Sequence, residues 1–211
     1  MNSYYGKKLV TFGTGKFLES LDASVPLTTT ASFYSVLDDG IQIASRSSLQ
    51  QGSISSGGTI TMPTFSLGTN ISTTPNIKAG WYVDFNASIG ERQISDISSV
   101  FDKLIFGSLY PTKGACGEGG GRLYIVDALT GNGTSEISQV GVLAAPLVIS
   151  LGNTALDRSD TAGQRTSRQK FGVITQGAKG LTPSSYTSTA IYQTGRLSWR
   201  RIDNYQSTKA K

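Results

Sequence analysis

The chain has 211 residues, of which 16% are charged and 37% hydrophobic, with 25 glycines and a net charge of +5. It has no histidine and a single cysteine, Cys116. That excludes a Ser-His-Asp triad, a Cys-His dyad, any His-ligated metal, a thiolate metal site and an intrachain disulfide. The length suffices for one domain with a real core, and a Ser-, Thr- and Gly-rich composition suits short strands and many turns rather than long helices.

Lys8 to Gly13 (KLVTFG) is rich in β-formers and reads as the first strand. It runs into Gly13-Thr14-Gly15, which lacks the third glycine and following helix of a dinucleotide-binding turn and the Gly-Lys-Ser/Thr of a P-loop. A Gly-rich turn at a strand end is the favoured reading. Ala31 to Leu37 (ASFYSVL) is the next strand and stops at Asp38-Asp39-Gly40, a good turn sequence. Gln50 to Thr61 and Asn70 to Asn76 are polar and turn-rich. Gly80 to Phe85 (GWYVDF) alternates around two aromatics, and Gly90 to Phe101, short and Ser-rich, is the best helical candidate.

Lys103 to Tyr110 (KLIFGSLY) reads as a strand stopped by Pro111, and Arg122 to Val126 (RLYIV) as one running into Asp127-Ala-Leu-Thr-Gly131. Gly117 to Gly121 could bring backbone N–H groups to a phosphate, but no helix follows, and a flexible loop is favoured. Val140 to Leu151 reads as two strands broken at Pro146; Phe171 to Gln176 and Arg196 to Ile202 follow. Between them, Asn153 to Gln169 reads as a basic surface loop.

Charge is uneven. Residues 1–155 hold 9 basic and 11 acidic side chains, a net of −2, and residues 156–211 hold 10 and 3, a net of +7. The basic tail reads first as solvated loop, with nucleic acid or an acidic surface as the alternative; no nucleic-acid partner is expected. No stretch of about 18 apolar residues spans a membrane, and MNSYYGKKLV contains no apolar run of about 7–15 residues marking a signal peptide.

Asp38, Asp39, Asp84, Asp96 and Asp127 are scattered or in turns, without the alternating oxygen ligands of a calcium loop. Nothing singles out a glycosidase carboxylate pair. Trp81 and Trp199 could stack on sugars or bases, though packing between strands is the commoner fate. Sequons at Asn70, Asn86 and Asn132 suit surface loops. No catalytic, cofactor-binding or metal-ligating residue is assigned.

A weak internal repeat runs through the chain. KLVTFG precedes FYSVLDDG, and KLIFGS precedes LYIVDALTG. Each unit is a strand, a loop, then an aromatic strand ending in an Asp-containing turn, the trace that stacked blades leave.

Taken in order, Phe12 to Gly15, Phe33 to Asp38, Gly80 to Asp84, Gly90 to Arg92, Leu104 to Pro111, Cys116, Gly119 to Asp127 and Arg196 to Arg200 resemble the C-terminal region of PilC/PilY-type pilus tip adhesins. The resemblance covers most of the chain and is least supported over Asn153 to Gln169. It implies an all-β, quinoprotein-like partial β-propeller over residues 1–211. A blade takes about 40–50 residues, so the chain supplies roughly four. It implies a non-enzymatic protein of the outer surface and pilus tip, serving type IV pilus assembly, adhesion and twitching motility. Implied partners are minor pilins or other tip components, a host-cell or surface receptor, and an upstream part of the same propeller. The family is exported, so a chain without a visible leader is expected to begin within a longer protein or to be a truncated gene product. The family's calcium loop has no counterpart here, and no cofactor is expected in this chain. The alternative is a fragment of a quinoprotein dehydrogenase, whose blades also use LYxxDxxTG strands around pyrroloquinoline quinone.

Overall fold

In a computed structural model the described residues are 3–4, 7–17, 22, 30–68, 76–86, 88, 90–111, 119–158 and 164–193. They are all-β, with a 3-10 turn at Arg46–Ser48 and no α-helix among them. The strands are β1 Ser3–Tyr4, β2 Lys7–Gly13, β3 Ser32–Asp38, β4 Gln50–Ile54, β5 Thr59–Thr61, β6 Ser66–Leu67, β7 Ile77–Lys78 and β8 Gly80–Asp84. There follow β9 Ser98–Val100, β10 Lys103–Tyr110, β11 Gly120–Asp127, β12 Gly133–Ile137, β13 Leu147–Arg158, β14 Gln164–Gly177 and β15 Gly180–Gln193.

The chain divides into two units, residues 1–149 with 172–186, and residues 150–171 with 187–211. The first holds a ten-stranded sheet in the order β1-β2-β3-β8-β4-β5-β12-β11-β10-β9. All neighbours run antiparallel except β4 and β8, so the sheet is mixed. In the second unit, Gln169 Nε2 donates to Ser150 Oγ at 2.6 Å.

Period-two alternation decides which side chains meet. Phe33, Ser35 and Leu37 of β3, Trp81 and Val83 of β8, Leu104 and Phe106 of β10, and Tyr124 and Val126 of β11 are all buried. All but Ser35 belong to one apolar cluster. β3 stands third in the sheet and β10 ninth, so sharing a core requires the sheet to curl into a half-barrel. Each buried aromatic there contributes about 1.5–3 kcal/mol by leaving water. Trp81 also donates from Nε1 to Ala128 O at 3.0 Å, which fixes it as a core residue rather than a stacking surface. On the opposite face, Ile105 and Leu123 form a second cluster with Val140, Leu143 and Val173.

The internal repeat is visible in the register. Lys8 stands opposite Asp38 in the β2–β3 pair, and Lys103 opposite Asp127 in the β10–β11 pair. At the second turn, Asp127 Oδ1 accepts from Leu129 N at 3.0 Å and Thr130 N at 2.8 Å, while Oδ2 meets Lys103 Nζ at 3.0 Å. Gly131 closes the turn at φ 73°, a left-handed conformation that favours glycine.

Several expectations need correction. Gln50 to Thr61 is the β4–β5 hairpin rather than loop. Gly90 to Phe101 is extended, bridging β10 through Arg92 and Leu109 and ending in β9. The helical candidate fails because its Ser-rich pattern offers no apolar stripe. Much of Asn153 to Gln169 is strand, the end of β13 and the start of β14. Its largely polar sequence shows no alternation of apolar and polar positions, so no local pattern marks it as strand. Val140 to Leu151 supplies one strand, not two, since β13 starts only after Pro146. Cys116, Asn70, Trp199 and Arg196 to Ile202 lie outside the described residues.

Candidate functional site

Two of the short motifs meet in space. Gly90 adopts φ 73° and turns the chain so that Arg92 exchanges backbone hydrogen bonds with Leu109, at 2.8 and 2.9 Å. This lays Gly-Glu-Arg along β10. The Gly-Thr-Gly segment after β2 then packs against it. A Cβ on Gly15 would come within 2.8 Å of Arg92 Cβ and 3.0 Å of Gln93 O. The glycines therefore serve close approach of two backbones. Arg92 secures the contact by donating from Nη1 to Lys16 O at 2.5 Å and from Nε to Gly90 O at 3.1 Å.

Glu91 is carried inward and is 1% exposed. Its Oε1 accepts from Ser108 Oγ and from Tyr124 OH, both at 2.6 Å. Burial raises the pKa of its carboxyl, opposed by the Ser108 and Tyr124 hydrogen bonds and by the charge of Arg122. Burial, and then the Glu91 charge, push the Tyr124 phenol far up as well. The carboxyl is thus held by two hydroxyl donors and pins β10 and β11 to the Gly-Glu-Arg segment.

Arg122 sits beside this cluster at the inward-facing parity of β11, 8% exposed. Its Nε lies 3.9 Å from Glu91 Oε2, and neither atom has a hydrogen-bond partner. Its Nη1 reaches Ser135 Oγ only at 3.5 Å. Arg122, Ser135, Ser138 and Gln139 are among the residues that line a cavity of about 390 Å³.

A row of aromatics crosses the other face of β2, β3 and β8. Phe12 stacks on Tyr34 with centroids 5.1 Å apart, and Tyr34 on Tyr82 at 5.7 Å. The Arg46 guanidinium lies 4.0 Å over Tyr82 and pairs with Asp84. Asp84 also accepts from Gln51 Nε2 at 3.1 Å and from Ser32 Oγ at 2.5 Å.

The acidic residues singled out in the sequence are not brought together. Asp38 and Asp39 accept from Gly40 N and Ile41 N within their turn, and Asp84 and Asp127 lie in the separate pairs described. Among the described residues no group of three or more His, Cys, Asp or Glu could hold a metal. The sequon residue Asn132 already accepts from Met62 N through Oδ1 at 2.9 Å, and Asn86 is exposed. Arg122 was not marked in the sequence, yet one signal was there: it shares the parity of Tyr124 and Val126 on an otherwise apolar strand. Compared with family models, curated proteins and solved structures, the chain finds no match.

Proposed function

We propose that the chain is a non-catalytic part of a pilus tip-associated surface adhesin, contributing blades to a propeller completed by other parts of the same protein. The observation that carries this reading is the interlock of Gly13 to Gly15 with Gly90 to Arg92 and of Glu91 with Tyr124. These residues come from the motifs on which the resemblance rests, and they act together as one structural device. Two antiparallel pairs, each with Lys opposite Asp at one end, share one core within a single curled sheet, and on this reading they are the counterparts of blades. The one fully buried carboxylate among the described residues, Glu91, is engaged in holding strands, which favours a binding role over catalysis.

Partners on this reading are minor pilins or other tip components and a surface receptor, and the place of action is the outer surface. The test is an in-frame deletion of this segment from the full-length gene in a host with type IV pili. Sheared pili and twitching zones are expected to fall. Normal piliation, motility and adhesion would reject the reading.

A further inference from the structure

We propose that the outer edge of β2 is a docking site for an extended segment of another polypeptide, which pairs with β2 as an added strand and brings a basic side chain to Asp96. The site goes beyond the adhesin reading and does not depend on it.

The backbone comes first. Thr14 N donates to Ser32 O at 2.8 Å, so residue 14 turns its backbone groups toward β3. Alternation along an antiparallel pair turns those of Val10 and Phe12 the same way, and those of Leu9, Thr11 and Gly13 to the far side. There, among the described residues, β1 pairs only with Lys7 and Lys8. An open edge is a template for another strand, and natural sheets blunt it with charge, proline or shortness. Leu9 to Gly13 (LVTFG) has neither a charged residue nor a proline. At the other end of the sheet, β9 is 3 residues long.

The surroundings fit one strand. A groove of about 510 Å³ runs between this edge and the Gln93 to Ile97 segment. It is closed at one end, where a Cβ on Gly13 would collide with the Gln93 side chain and one on Gly15 with Arg92 Cβ. Phe12, Phe17 and Ile94 line it and are 44%, 41% and 48% exposed, an apolar surface that alternate side chains of an added strand would cover. Main-chain pairing would give affinity and these side-chain contacts selectivity. Asp96 also lines the groove; it is exposed and has no hydrogen bond or ion pair among the described residues, so a cation on the incoming strand complements it. Lys16, the one cation of the lining, has an interaction of its own. A second copy's β2 is already paired with β3, whereas a groove with two walls takes a strand bare at both edges.

Calorimetric titration of the full chain with synthetic peptides tests the proposal. The probes are capped hexapeptides in which Val and Thr alternate and a single Lys steps through the positions. At least one should bind saturably, and its Glu counterpart about threefold or more weakly, as expected for reversing one exposed ion pair. Asp96→Lys should invert that preference. N-methylation of the best peptide should abolish binding at residues of one parity and cost less at the other, because alternate N–H groups face β2. Thr11→Pro should block binding and leave the melting temperature near that of the natural chain, since the lost N–H points away from β3. The methylation scan and Asp96→Lys keep the test decisive even where Thr11→Pro does not fold. No saturable binding by any of the peptides, indifference to Thr11→Pro or to Asp96→Lys, or a dimer of the natural chain that Thr11→Pro disperses would overturn the proposal.

Discussion

Phe33 and Phe106 lie face to face, with ring centroids 4.0 Å apart and planes 8° from parallel, although their strands are third and ninth in the sheet. Tyr124 extends the stack, 4.9 Å from Phe106 and 3° from parallel. Contact across the mouth of a curled sheet is what a closed core demands, and hydrogen bonding between neighbouring strands cannot supply it.

Truncating either phenylalanine removes a large buried ring and leaves a cavity. Phe33→Ala and Phe106→Ala are each expected to cost about 3–5 kcal/mol. The double variant should fall short of the sum by about 0.5–1.5 kcal/mol, the worth of an aromatic pair beyond its area. Urea denaturation of the cycle measures this, and strict additivity would show that the rings do not support one another.

Glu91 gives stability a pH dependence of unusual sign for a carboxylate. Its pKa is raised in the folded chain, chiefly by burial, so the native state holds the proton more tightly than the unfolded state does. The resulting stability is complete below the ordinary glutamate value of about 4.3 and is lost as pH rises through the raised folded value. Glu91→Gln removes that term. The stability of the natural chain minus that of Glu91→Gln should therefore decline as pH rises from about 4. A flat difference would mean that Glu91 titrates alike in both states.

Gly15 is exposed, and an exposed residue ordinarily tolerates alanine with little effect. Here the added Cβ would press on Arg92 Cβ and Gln93 O. Gly15→Ala should cost about 1–3 kcal/mol, the range for overpacking, and thermal unfolding checks it. A loss below about 0.5 kcal/mol would show that the two motifs give way without cost.

The strands legible in the sequence were those whose alternation is chemically loud. KLVTFG, ASFYSVL, GWYVDF, KLIFGSLY and RLYIV became β2, β3, β8, β10 and β11, because short runs dense in aromatic, aliphatic and β-branched residues and bounded by turn residues mark strands, and β8, β10 and β11 are buried on both faces. Strands β4, β5 and β12 are built mostly from Ser, Thr, Gln and Gly, and the start of β14 and most of β15 are similarly polar, so no alternation announces them. The parallel pairing of β4 with β8 depends on a return of the chain that no local pattern encodes. Of the site, Gly-Glu-Arg stood out as a motif but its target did not. Ser108, Tyr124 and Arg122 become neighbours of Glu91 only once β10 and β11 are aligned.

The sheet is stitched together by partners distant along the chain. Thr59 and Ile60 of β5 pair with Thr134 and Gly133 of β12, and Ser32 of β3 with Asp84 of β8, whereas the β10–β11 and β11–β12 pairs are local. Closing long loops costs entropy before any contact repays it, and chains dominated by such pairings fold in milliseconds to seconds rather than microseconds. The meander β10-β11-β12 closes short loops, whereas the seam between β5 and β12 requires a far longer one. Until that seam forms, the edge of β12 stays open to strands of other chains, so the interval before closure is when a newly made copy is most exposed to aggregation.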